Sequence, residues 1–372
     1  MAEFTGFKRG MGIGGWLTNY KRLYVLPDEW RRPITIGDWE HFRTYITRKD
    51  VDYIASLGMD HIRLAFDQTV LEDYERPGVF RDEIWGLLDD FIGWCEDAGL
   101  NVILNMHKAI GNDCGIAEPV SLLDDEGLQS RFINVWTEIE RHYSCKPKIA
   151  FELLNEVRNV NPDLWNNLAE RTLNALRKLN PTRKIIIGST CWNSPGTMPK
   201  LRLYDDENVI YTWHMYAPNE FTHQRGVLQA PMVYYNRVMP YPALTDAEVE
   251  RYRDFQRFVF KNEHAYDGVK RIDRDYLRKV MQPALDLTRK HPEKVFWLGE
   301  FGTIRHICIK HRENYMRDVI AICREYDVAY CVWNYLSTPN DGNNFSLVDE
   351  FDRRVLSPDM QRIITGEIDT PT

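Results

Sequence analysis

Two glutamates, Glu156 and Glu300, stand in the strings FELLNE (Phe151 to Glu156) and GEFG (Gly299 to Gly302), where apolar runs give way to polar residues. Two carboxyl groups at the mouth of one cleft suit hydrolysis of an acetal. One protonates the leaving oxygen while the other stabilises or attacks the anomeric carbon. Such a pair needs unequal surroundings: Arg63 can hold one carboxylate ionised through a charge-assisted hydrogen bond, while a nearby negative charge and partial burial raise the pKa of the other. Other apolar runs carry or end in Arg63, His107, Asn155, His214, Tyr216 and Trp333. Singly these say little, since a lone histidine is more often a hydrogen-bonded structural residue than a catalyst, and Arg63, Tyr216 or Trp333 could each serve the core. Their joint placement carries the signal.

Residues so far apart in sequence need a fold that gathers them. Short β-branched or aromatic runs recur from one end of the chain to the other: Met11 to Trp16, His61 to Phe66, Asn101 to Met106, Ile149 to Leu154, Lys184 to Gly188, Val209 to Trp213, Val295 to Leu298 and Ala329 to Trp333. Amphipathic segments separate them. Ile84 to Ala98 places Ile84, Leu87, Leu88, Phe91, Ile92 and Cys95 on one face and stops at Gly99, and Leu128 to Tyr143, Leu164 to Leu179 and Asn314 to Glu325 show similar periodicity. Eight βα units predict an α/β chain closed into a (β/α)8 TIM barrel, whose active site lies at the C-terminal ends of the strands. The expected organisation is one catalytic domain over residues 1–372. One connection is too long for an ordinary βα loop: residues 218–274, after the sixth strand, carry Phe221, Tyr234, Tyr235, Tyr241, Tyr252, Phe255, Phe258, Phe260 and Tyr266 and predict a small inserted subdomain. Its aromatics are expected to be mostly structural, with one or two rings reaching the cleft.

The strings GGWL (Gly14 to Leu17), HIRLAFD (His61 to Asp67), FELLNE, WHMY (Trp213 to Tyr216), GEFG and VWNY (Val332 to Tyr335) resemble glycoside hydrolase family 5 over essentially the whole chain. Within that family the chain is similar to the clostridial endoglucanase C type, whose FTHQ, YNR and YP segments resemble Phe221 to Gln224, Tyr235 to Arg237 and Tyr241-Pro242. The resemblance implies a retaining, endo-acting β-glucanase on β-1,4-glucan or mixed-linkage β-glucan. It also implies roles: Glu156 as general acid/base, Glu300 as nucleophile contacted by Arg63 and Tyr216, and Asn155 on the sugar 2-hydroxyl. His107 would bind a sugar hydroxyl, His214 would sit beside the acid/base, and Trp333 would form the floor of the cleavage subsite. The chain departs from the pattern at Gly12, where Asn is frequent, and at Lys108, where a second His follows His107 in the endoglucanase C type. Both departures bear on substrate preference. Trp192 and Asn193, after the fifth strand, are possible subsite residues.

Other classes are weaker. Mannan and xyloglucan are alternative substrates of the same chemistry. In a metal-dependent barrel hydrolase His107, His214, Glu156 and Glu300 would be ligands, but no HxH or HExxH pair exists and Arg63 would repel a cation. A carbohydrate-binding barrel that has lost catalysis has no need of both carboxylates. No metal or cofactor is therefore expected. Lys plus Arg number 47 against 55 Asp plus Glu, and the net charge of −8 gives no basic field for nucleic acid. No run approaches the length of a membrane span. Seven cysteines (Cys95, Cys114, Cys145, Cys191, Cys308, Cys323, Cys331) form no CxxC pair and read as reduced thiols, and with no leader-like segment in the sequence the expected compartment is the cytoplasm.

Overall fold

The computed structural model describes residues 3–20, 34–112, 120–227, 230–338 and 342–368. Eight parallel strands close a barrel in sequence order: β1 (Arg9–Leu17), β2 (His61–Asp67), β3 (Asn101–Lys108), β4 (Ile149–Glu152), β5 (Ile185–Gly188), β6 (Val209–Met215), β7 (Val295–Phe301) and β8 (Ala329–Val332). β8 pairs back onto β1 through Cys331 opposite Gly10. The expected α/β barrel is present, and every predicted strand appears with its ends moved by a few residues. Strands covered on both faces read as continuous apolar runs because each second residue points into the barrel and the others meet the helices. Phe4, Phe7, Ile103, Ala150, Ile186, Ile210, Val295, Trp297 and Cys331 form a separate apolar cluster. Most of these are inward-facing residues of the lower barrel, with Phe4 and Phe7 of the N-terminal segment packed against them.

The predicted helices appear with their caps. Asp125 accepts from the Leu128 N–H at the start of Glu126–Tyr143, and Asn161 caps Pro162–Leu179, which has Pro at its first position. Asp82–Asp97 begins within a turn of its predicted start at Ile84, and Ile309–Glu325 begins more than a turn before its predicted start at Asn314. The rhythm breaks once more than expected. Between β5 and β6 there is only a short turn at Thr190–Asn193 and a 3₁₀ segment at Pro195–Lys200, where Pro199 lacks the N–H that a longer helix requires.

Residues 218–274 form the helix Asp246–Phe260, closed at its start by a Thr245–Glu248 capping box, with shorter turns and a bridge between Ala243 and Ile272. Phe221, Tyr235, Tyr241, Tyr252 and Phe255 are buried and belong to the same apolar cluster as the barrel and its helices. Phe221 and Tyr241 pack on Tyr315 of Ile309–Glu325, tying the segment to the barrel wall. Tyr234, Phe258 and Phe260 are exposed. Among the described residues the cysteines are free, while Cys114 lies outside them. No helix among the described residues is long and apolar enough to cross a membrane.

Candidate active site

Irregularities at the C-terminal ends of the strands aim the polar side chains. Trp213 is opposite Leu298 but the next residue, His214, is opposite Glu300, so β7 carries one extra residue, Gly299. A matching shift on β3 sets Asp67 of β2 opposite Lys108 and leaves His107 as the extra residue. Such bulges turn a strand locally and redirect the side chain that follows. They explain why Glu300 belongs to the last turn of its strand rather than to the loop beyond it.

Arg63 is fully buried and organises the floor of the site. Its Nε and Nη2 donate to Glu152 at 2.5 and 2.9 Å, Nη2 also donates to Asn155 Oδ1 at 2.8 Å, and Nη1 donates to Glu300 Oε1 at 2.5 Å. One guanidinium thus fixes two carboxylates and an amide, the planar bidentate geometry that Arg provides and Lys does not. The Tyr216 hydroxyl donates to Glu300 Oε2 at 2.9 Å. Burial, reinforced by Glu300 and Glu156, holds the Tyr216 pKa well above its ordinary value, so the group remains a donor.

Glu156 adopts a left-handed backbone conformation, φ 46°, which costs an ordinary side chain about 1–3 kcal/mol. One oxygen of Glu156, one of Glu300 and a ring nitrogen of His214 lie within 4.8 Å of one another. His214 Nδ1 is 2.9 Å from Glu156 Oε1 and 3.4 Å from Glu300 Oε2. Burial lowers the His214 pKa to about 4, with Glu300 opposing and Arg63 assisting, so the ring is neutral near neutral pH. Burial, and after it Arg63, likewise keeps His107 neutral. For Glu300, burial raises the pKa and outweighs the attraction of His214 and Arg63, while Glu156 and Glu152 push it further up. The expectation that Arg63 simply depresses one carboxyl is therefore modified: Arg63 is shared with Glu152, and full burial has the larger effect on Glu300.

His107 stacks on Trp333 with ring centroids 5.3 Å apart and planes 4° from parallel, and its Nδ1 is 3.1 Å from Asn105 Oδ1. Arg63 lies over the same indole at 5.7 Å. The departure at Gly12 has a steric reason: a Cβ there would lie 2.8 Å from Trp333 Cε3 and 3.2 Å from the Val332 carbonyl oxygen. The indole occupies the space that a side chain at position 12 would need. Lys108 is fully buried at the end of β3.

The structure thus brings together Arg63, Asn155, Glu156, His214, Tyr216 and Glu300 through direct contacts, with His107 and Trp333 stacked beside Arg63. Two further residues join them. Glu152 was not singled out from the sequence, although it lies two residues from Ala150 on the inward-facing parity of β4, where a buried carboxylate demands a partner. Asn193 is fully buried with its amide nitrogen 3.2 Å from His214 Nε2, while Trp192 beside it is 44% exposed. Cys191, Trp192 and Asn193 are consecutive left-handed residues (φ 58°, 57° and 54°), held to the β4 loop by the Trp192 N–H donating to the Val157 carbonyl at 2.9 Å. Glu156, His214 and Glu300 are grouped as metal ligands are, but the Arg63 charge on Glu300 opposes a divalent ion there.

The family model described as cellulase (glycosyl hydrolase family 5) matches residues 30–338. Endoglucanase C of Acetivibrio thermocellus is 31% identical over 364 residues, covering 96% of this chain and 98% of the relative. Cellodextrinase A of Ruminococcus flavefaciens is 29% identical over 229 residues, covering 60% of this chain and 62% of the relative. The endoglucanase Cel5A of Thermotoga maritima has the same fold, with a TM-score of 0.72 at 21% identity and 96% of both chains covered. By the match of family model and full-length relative alike, this chain belongs to glycosyl hydrolase family 5 and is a glycoside hydrolase of cellulase type.

Proposed function

We propose that the protein is an endo-acting β-glucanase that cleaves β-1,4-glucan or mixed-linkage β-glucan with retention, using Glu300 as nucleophile and Glu156 as general acid/base. The observation that carries this reading is the approach of Glu156 and Glu300 oxygens to within 4.8 Å. Retaining pairs stand about 5–5.5 Å apart, whereas inverting pairs leave about 6.5–9.5 Å for a water between them. In the first step Glu300 bonds to the anomeric carbon as the glycosidic bond breaks, and Glu156 gives its proton to the departing oxygen. In the second, Glu156 takes a proton from water, the oxygen bonds to the anomeric carbon, and Glu300 leaves as carboxylate. Arg63 and Tyr216 hold Glu300, Asn155 is placed for the 2-hydroxyl, and His107 and Trp333 offer a polar edge and an apolar floor to the sugar.

The substrate follows from the relatives, endoglucanase C above all. Mannan is the second substrate to test, because the Thermotoga maritima Cel5A fold was also solved with mannotriose. Trp192, 44% exposed on the left-handed turn after β5, is proposed to line a further sugar subsite. Residues 1–372 are proposed to act as one catalytic domain with 218–274 as its insertion, and the free cysteines favour a reducing, cytoplasmic setting.

The test is covalent labelling. A 2-deoxy-2-fluoro glucoside with a reactive leaving group slows release of the glycosyl-enzyme more than its formation, so label should accumulate on Glu300, and β-glucan should yield initial products of β configuration. Initial α products by NMR would refute retention, and label on another carboxylate would overturn the assignment of Glu300.

A further inference from the structure

Both reacting carboxylates face a single ring nitrogen, Nδ1 of His214, at 2.9 and 3.4 Å. A neutral imidazole has one proton for two nitrogens, and what the other nitrogen meets decides where it sits. Nε2 of His214 meets the Asn193 side chain, whose amide nitrogen stands 3.2 Å away. We propose that Asn193 is a positioning residue that fixes the His214 proton on Nδ1, between the two carboxylates, by donating its amide N–H to Nε2.

Three observations support this, in addition to the reading of Glu156 and Glu300 on which it rests. The opposite amide orientation would place Oδ1 against Nε2, require the proton there, and turn a bare Nδ1 lone pair towards two carboxylate oxygens. The ionised Glu300 carboxylate, 3.4 Å from Nδ1, disfavours that arrangement and selects the donor orientation. Second, Asn193 Oδ1 has no hydrogen-bond partner among the described residues, so His214 is what the amide is oriented by. Third, the backbone is built for this one contact. Three successive left-handed residues end at Asn193, and Gly188 leaves the room, since a Cβ at position 188 would come within 2.5 Å of the Asn193 amide. Asn is among the side chains that tolerate a left-handed backbone best.

The charged and titratable groups around the ring are Glu156, Glu300, Arg63, Glu152, His107 and Tyr216. Burial keeps the ring neutral in their midst, with its pKa lowered to about 4. A donor at Nδ1 then stabilises whichever of Glu156 and Glu300 is ionised without adding a full positive charge, which would strip Glu156 of the proton that it must deliver.

Asn193→Asp retains the size and the left-handed tolerance of the residue but replaces a donor with an anion. It should draw a second proton onto His214, and the resulting imidazolium should move both limbs of the kcat/KM–pH profile to lower pH by about one unit. Asn193→Gly keeps the turn and removes the donor, and should lower kcat about tenfold with KM little changed. In ¹⁵N NMR of ring-labelled wild-type protein, His214, assigned by loss of its signal in His214→Asn, should show a protonated Nδ1 and an unprotonated Nε2, and in Asn193→Asp both nitrogens protonated. A wild-type spectrum of the Nε2–H tautomer, or an Asn193→Asp profile whose limbs do not move, would overturn the proposal. The tautomer is read without turnover and the label on Glu300 without reference to Asn193, so failure of one assignment is separable from failure of the other.

Discussion

Replacing Glu152 with Gln tests whether the Arg63 network tunes the nucleophile. Glu152 is fully buried and accepts two bonds from Arg63, at 2.5 and 2.9 Å, while the same guanidinium donates to Glu300 at 2.5 Å. Gln keeps one acceptor and turns an amide N–H2 towards a guanidinium N–H. One charge-assisted hydrogen bond is lost, about 1.5–3 kcal/mol. This falls short of the about 3–5 kcal/mol for leaving a buried charge without a partner, because Glu300 still neutralises Arg63. The charge of the buried trio Arg63, Glu152 and Glu300 changes from −1 to 0. Glu152 contributes to raising the Glu300 pKa, so its removal should lower that pKa and move the acidic limb of kcat/KM to lower pH. Loosened orientation of Arg63 should also cost activity, up to about 10²-fold. Denaturant unfolding measures the first effect and the pH profile the second. A variant within about 0.5 kcal/mol of wild type, with an unmoved acidic limb, would refute the view that Glu152 acts on Glu300 through Arg63.

Two further outcomes follow from the same geometry. In the wild-type enzyme the acidic limb of kcat/KM should lie above the about 4.3 of an ordinary glutamate, because Glu300 must be ionised to react and its burial raises its pKa; a limb at or below that value contradicts Glu300 as the group titrating there. Glu156→Ala should lose about 10²–10⁴-fold on glucan, whose sugar leaving group needs protonation, while keeping glycosylation by aryl glycosides with good leaving groups and gaining turnover with azide. Unaltered cleavage of polymeric glucan by this variant would remove Glu156 from the mechanism.

What was legible in the sequence has a physical reason. Each strand is a short run buried on both faces, so its composition alone marks it, and Gly99 marks a helix end by its backbone chemistry, whereas the caps Asp125 and Asn161 lie just outside the apolar periodicity and were not read. The eight candidate residues could be singled out because a barrel gathers the C-terminal halves of its strands at one end. Glu152 was passed over because the predicted strand ran on to Leu154 and so put it inside the strand, whereas β4 ends at Glu152, and only the period of two from Ala150, combined with the need of a buried carboxylate for a cation, would have drawn attention to it. The contact of Asn193 depends on a left-handed turn of Cys191, Trp192 and Asn193, for which no periodicity exists. The insertion shows the limit of composition: Tyr252 and Phe255 are buried while Phe258 and Phe260 on the same helix are exposed, a partition set by how that helix lies against the barrel.

The site also shows how two chemically identical side chains are made to differ. Arg63 supplies one positive charge to Glu152 and Glu300 together, and His107 and His214 are kept neutral by burial. The Glu300 side chain is 4% exposed and the Glu156 side chain 19%. A buried carboxylate whose charge is only partly offset is relieved when it meets the positive charge developing at an anomeric carbon and becomes an ester. A carboxyl at the rim has a different advantage, since it can exchange its proton with water between the two half-reactions. The asymmetry thus comes from depth and from the sharing of one guanidinium, and it supports the proposed division of labour, nucleophile for Glu300 and proton donor for Glu156, without any difference in their intrinsic chemistry.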